Sequence, residues 1–123
     1  MNLTPFGQKV RELRIQARVR LNVMAEAIGY SEAYLSAVET GRKPLNDELL
    51  EKTIDYFVSL NTPFNPRELE RAADESKKSI NVESLEDLER GVLGAFARKL
   101  PGASEEARAE ILNRLNKVLE DIH

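Results

Sequence analysis

Gly29 and Gly41 constrain this chain more than any other pair of residues, because each stops a short run of helical periodicity. The front of the chain must therefore fold as brief helices joined by tight turns. Thr4-Pro5 offers a hydroxyl cap and then a proline at the first helical position, where the missing N–H is no loss. Phe6, Val10, Leu13 and Ala17 recur at helical spacing and predict one buried face. A second helix is predicted from about Leu21 to Ile28. A third runs from about Glu32 to Thr40, capped by Ser31. Asn46 or Asp47 caps a fourth, with Leu50, Ile54 and Phe57 inward, ending near Leu60.

The functional signal lies between Leu21 and Val38. Two helices that cross closely need a small residue at the crossing, and Ala25 is one. Four residues on, the turn needs a positive φ, which only glycine adopts without steric cost, and Gly29 stands there. Six residues later the second helix must plant an apolar side chain on the first. Leu35 does so, with Val38 one turn further and Met24 and Ile28 behind. This is the spacing of a helix-turn-helix, whose second helix can lie in a DNA major groove about 12 Å wide.

The runs FGQKVRELRIQ and MAEAIGYSEAYLSAVETGRKP closely resemble the helix-turn-helix of the phage repressor and Cro family, the XRE type, from roughly Thr4 to Phe57 without gaps. The resemblance implies a five-helix bundle that binds operator DNA as a dimer and reads it with the third helix. By position it implies base-edge contacts from Glu32, Ala33 and Ala37, flanked by Ser31, Tyr34 and Ser36. It sets Arg20 and Leu21, at the start of the second helix, and Arg42 and Lys43, after the third, against phosphates. Arg14 and Glu39 match a family salt bridge between the first and third helices; the alternative is a pair of solvated surface charges. Tyr34 reads either as a packing residue or as a contact, its phenol to a phosphate or its ring to a thymine methyl.

Several positions depart from the family pattern. Arg20 stands where a serine or threonine cap is frequent, Leu21 where a glutamine is, and Arg18 where a C-terminal glycine is. An arginine cannot cap as an acceptor, which costs the second helix about 1 kcal/mol. Glu32 is repelled by DNA unless it accepts from a cytosine amino group, although the positive end of its helix offsets part of its charge. Alanine at two reading positions shifts specificity toward thymine methyls, Ser36 and DNA shape.

Behind this segment, Asn65-Pro66-Arg67-Glu68 forms a capping-box start for a fifth helix to about Lys77, with a thin apolar face of Leu69, Ala72 and Ala73. Ser79 to Glu83 alternates polar and apolar around Ile80 and Val82, a short strand or a linker. Ser84 is expected to cap a sixth helix with Leu85, Leu88, Val92, Phe96 and Leu100 inward, closed by Pro101-Gly102. Ser104 starts a seventh with Ile111, Leu115, Val118 and Ile122 on one face. The expected architecture is all-α: a DNA-binding domain over 1–78 and a helical hairpin over 79–123. The hairpin is either a stabilising cap on the bundle or a dimerisation unit, and the second reading makes Leu88, Val92, Phe96, Ile111, Leu115, Val118 and Ile122 the homodimer interface. The stretch AFARKLPGASEEARAEIL also resembles tails of XRE proteins from mobile elements, some encoded beside metallopeptidases or toxins. That implies, as the alternative function, an antitoxin-like protein whose C-terminal half holds a toxin or metallopeptidase.

Composition narrows the rest. Without cysteine there are no disulfides, thiol catalysis or thiolate zinc sites, and the one histidine, His123, makes no metal site alone. No phosphate-binding loop occurs and the carboxylates fall in solvated patterns, so neither an enzyme nor a cofactor is expected. No apolar run approaches the ~18 residues of a membrane helix, and the front lacks an apolar signal segment, so a cytoplasmic protein is expected. The net charge of −3 argues against nucleic acid, but residues 1–43 carry seven basic and four acidic side chains, while the remainder holds 11 basic and 17 acidic. A basic front on an acidic body fits a phosphate-facing module, against chance as the plainer reading. The sequence therefore points to a dimeric transcriptional repressor on double-stranded DNA.

Overall fold

The computed structural model describes residues 2–122, which leaves His123 outside the described residues. Among the described residues seven α-helices follow one another: α1 Pro5–Ala17, α2 Leu21–Ile28, α3 Glu32–Glu39, α4 Asp47–Ser59, α5 Pro66–Ser76, α6 Asp87–Lys99 and α7 Glu105–Glu120. Among the described residues no strand forms. The all-α expectation is met, with five helices in one unit, Met1–Ile80, and two in a second, Asn81–His123.

Local chemistry explains most helix ends in the first unit. Thr4, Ser31 and Asn46 accept from the backbone N–H of Gly7, Tyr34 and Leu49. Arg20 makes no side-chain cap on α2. Four helices close in the same way, with a left-handed residue whose own N–H and following N–H turn back onto the last carbonyls. Gly29 (φ 83°) and Gly41 (φ 78°) fill this position without strain, and Arg18 (φ 60°) and Asn61 (φ 56°) fill it with a side chain. After α1, for example, the Val19 N–H donates to the Arg14 carbonyl at 2.9 Å, and after α3 the Arg42 N–H donates to the Ala37 carbonyl at 2.8 Å.

The core of this unit joins Phe6, Val10 and Leu13 of α1 to Met24, Ala25 and Ile28 of α2, Leu35 and Val38 of α3, Leu49 and Phe57 of α4, and Leu69 and Ala73 of α5. The thin face of α5 suffices because alanines let it pack closely along α1, where the Ser76 hydroxyl accepts from the Phe6 N–H at 2.8 Å. The roll of α4 corrects the sequence reading. Leu49, Thr53 and Phe57 lie deepest, and Leu50 and Ile54 are half-buried at its flanks. A threonine can sit there because its hydroxyl donates to the Leu49 carbonyl at 2.7 Å and leaves no donor unpaired.

Ile80 and Val82 lie in a looped segment between α5 and α6, which is the linker of the two readings and not the strand. In the second unit two expectations change. Helix α6 starts at Asp87 rather than after Ser84, because the Glu89 carboxylate accepts from the Glu86 N–H at 2.8 Å and makes Glu86 the cap. The face expected inward is largely open: Leu88 is 80% and Val92 63% exposed, while Leu85, Phe96 and Leu100 are half-buried. On α7, capped by Ser104 as expected, Ile111 is half-buried and Leu115, Val118 and Ile122 are exposed. Two helices joined by the short turn Leu100–Gly102 have too little facing surface to bury both stripes.

Candidate nucleic-acid interface

Helix α3 is held from behind and open in front. Its inner side buries Leu35 and Val38, and Ala25 of α2 is the small residue beneath them. The turn between the two helices runs through Gly29, whose positive φ lets the Tyr30 N–H donate to the Ala25 carbonyl at 2.9 Å. Ser31 then caps α3 by accepting from the Tyr34 N–H at 3.0 Å. On the outer side Glu32 and Ala33 are exposed, and Ser36 and Ala37 are half-buried. Tyr34 stacks on Tyr30 with ring centroids 5.3 Å apart and also packs on the core, so its ring is a packing element whose edge remains half-exposed.

The far end of α3 is fixed by one residue, Glu39, through both its side chain and its backbone. Its carboxylate pairs with the Arg14 guanidinium in two parallel bonds, Nη1 to Oε2 and Nη2 to Oε1, the latter at 3.1 Å. These side chains are only 10% and 7% exposed, so the pair is a buried strut between α1 and α3 rather than solvated surface. The Glu39 carbonyl accepts from the Thr4 N–H at 2.9 Å and from the Thr4 hydroxyl at 3.2 Å. Gly7 makes this approach possible: a Cβ there would stand 2.2 Å from the Glu39 carbonyl oxygen. The sequence reading identified Thr4 only as a cap and passed over Gly7. The available signal was a glycine inside a helix, which costs about 1 kcal/mol unless a neighbour needs the space.

Cations flank this helix. Arg42 and Lys43 are exposed just past the Gly41 turn, and the Arg42 Nε donates to the Thr40 hydroxyl at 3.1 Å, which steadies its direction. Arg20 is exposed at the start of α2, where the helix N-terminus also favours an anion. Leu21 beside it is half-buried against the core, so its side chain serves packing. The arrangement sets positive charge just past the C-terminal end of α3, at Arg42 and Lys43, and at the start of α2, at Arg20.

Residues 5–57 match the family model of a helix-turn-helix domain, a span that runs from the start of α1 into α4. No curated protein and no solved structure matches the chain. Among the described residues no helix is long and apolar enough to cross a membrane. With α2 and α3 at the centre of the matched span and Arg14–Glu39 bracing the second of them, the chain carries a DNA-binding helix-turn-helix domain that fits the repressor and Cro type.

Proposed function

We propose that this protein is a sequence-specific transcriptional regulator, a dimeric repressor that reads a palindromic operator with α3. One observation carries the reading: α3 exposes Glu32 and Ala33 outward while Glu39 anchors its other end to α1 twice over. A rigidly mounted helix with a free outer face is what base readout requires. In the groove, Glu32 accepts from a cytosine amino group and the Ala33 and Ala37 methyls meet thymine methyls. Ser31 and Ser36 add hydroxyls, and Arg20, Arg42 and Lys43 hold phosphates on either side.

The second unit supplies the dimer. Among its described residues none is buried, and Leu88, Val92, Val118 and Ile122 are exposed. So small a unit needs a partner to stabilise it, and a twin across a two-fold axis also brings two reading helices to one palindromic operator. The interface then comprises Leu88, Val92 and Phe96 of α6 with Ile111, Leu115, Val118 and Ile122 beyond them. Selection of genomic fragments by the full chain, followed by sequencing, should enrich an inverted repeat with half-site centres about 10 base pairs, or a multiple, apart. Fragments without a common motif would overturn sequence-specific reading. Light scattering should give twice the chain mass, and Val118→Glu should halve it; a wild-type chain monomeric at high micromolar concentration would end the dimer assignment.

A further inference from the structure

A cleft of about 230 Å³ opens beside the end of α3, between residues 41–45 and residues 76–79. Four cations line it, Arg42 and Lys43 from the turn after α3 and Lys77 and Lys78 from just past the end of α5. The two segments meet because α5 packs along α1, whose N-terminus is tied to Ser76 on one side and to Glu39 on the other. Lys77 has a structural task, since its ammonium pairs with Asp47 at 3.1 Å and it follows the negative end of α5. Lys43 and Lys78 have no ion-pair partner among the described residues, and both are exposed at the cleft. Asp47 is the one carboxylate paired there, and it engages a single lysine. Like charges gathered around one opening repel unless an anion is shared among them.

We propose that this cleft extends the phosphate contact of Arg42 and Lys43: it takes a DNA backbone phosphate between Lys43 and Lys78 and carries the interface past the helix-turn-helix onto the flanking strand. Lys43 and Lys78 are the two jaws, Arg42 contributes from the rim, and Lys77 keeps the α5 side in place through Asp47. The inference rests on the DNA-binding reading of α3. It assigns a role to residues beyond the 5–57 span, contributed by the fifth helix.

The test uses the full chain and a 25-base-pair duplex of arbitrary sequence, with affinity followed by fluorescence anisotropy across a KCl series. Each lost phosphate contact should reduce the slope of log affinity against log salt by about 0.9. Lys78→Gln and Lys43→Gln should each lower the slope, and the double variant should lose about 0.9 in all, the share of the one phosphate they hold, with thermal melting unchanged because both side chains are exposed. Arg67→Gln, at the opposite end of α5, should leave the slope as in the wild type. A Lys78→Gln slope equal to that of a DNA-binding wild type overturns the proposal and leaves the reading by α3 intact. A wild type without salt-dependent DNA binding overturns both. Saturable binding of inorganic phosphate at the Lys43 and Lys78 amides, seen by NMR, with an unchanged DNA slope in the variants, would assign the cleft to a free phosphate compound and overturn the DNA assignment.

Discussion

Replacing Gly7 with alanine tests the mounting of the reading helix at its narrowest point. The added Cβ would lie 2.2 Å from the Glu39 carbonyl oxygen, 2.8 Å from its carbon and 2.9 Å from its Cα. All three are backbone atoms, so no rotamer change relieves the clash and α1 must withdraw from α3 by roughly 1 Å to regain ordinary contact. Overpacking of this kind costs about 2 kcal/mol. The withdrawal also stretches the two bonds from Thr4 to the Glu39 carbonyl, at 2.9 and 3.2 Å, each worth about 1 kcal/mol. Alanine returns about 1 kcal/mol of helix propensity. The expected net loss is about 3 kcal/mol, which urea unfolding should register as a midpoint lower by about 2 M for a chain of this size. Gly91→Ala in α6, where a Cβ meets nothing within 4 Å, should be neutral or stabilising by up to about 1 kcal/mol. A Gly7→Ala midpoint within about 0.3 M of wild type would refute the close crossing of α1 and α3.

Further expectations concern turns, the buried pair and the reading face. Gly29→Val should destabilise by at least about 1–2 kcal/mol despite the open space around it, because a β-branched residue resists φ 83°; unchanged urea unfolding would show the turn is not strained. Arg18→Gly should stabilise by about 0.5–1 kcal/mol, since the arginine now holds φ 60°, and a lower melting temperature would mean its side chain contributes more than its backbone strains. Glu39→Leu should cost about 3–5 kcal/mol by leaving Arg14 buried and unpaired, and Arg14→Met with Glu39→Leu should cost less than the sum of the single changes; strict additivity in chemical unfolding would rule out direct coupling. Glu32→Gln should raise affinity for arbitrary DNA and alter base preference; identical binding isotherms on all duplexes would place Glu32 outside the interface.

What the sequence disclosed and what it withheld divide by range. The caps at Thr4 and Ser31, the choice of Asn46 or Asp47 that the structure resolves to Asn46, and the turn at Gly29 were legible because their partners stand within a few residues, so residue type and local order decide them. The close crossing at Gly7 was not, since its partner is 32 positions away and a glycine in a helix announces only that something is near. The roll of α4 was misjudged by one residue because Thr53 counts as polar until its hydroxyl is seen to bond Leu49. The stripe of α6 was read correctly as apolar and wrongly as inward, and that of α7 only as a shared face, because periodicity reports which residues share a face and not whether the same chain covers that face. The positive side of the candidate site was half visible. Arg42 and Lys43 follow α3 in sequence, whereas Lys77 and Lys78 reach the same cleft only through the packing of α5 on α1.

Mounting and reading fall on different residues of α3, which bears on how a helix-turn-helix protein can change its target. The restraints on α3 gather at Glu39, where a buried ion pair, two bonds from Thr4 and the contact over Gly7 meet, while the residues that would touch bases sit on an outer face that supports none of them. Glu32 and Ala33 can therefore be exchanged at little expense in stability, and Ser36 and Ala37 at moderate expense, since surface changes away from such anchors usually stay within about 0.5 kcal/mol. Tyr34 is the exception on that face, because its ring stacks on Tyr30 and rests on the core. A set of variants at positions 32, 33 and 36 should thus scatter widely in preferred base sequence while melting close together, and variants at 7, 14, 34 and 39 should do the opposite. If melting temperature and base preference instead moved together across both sets, reading and mounting would not be separable in this helix, and the rigid support argued from Glu39 would lose its meaning.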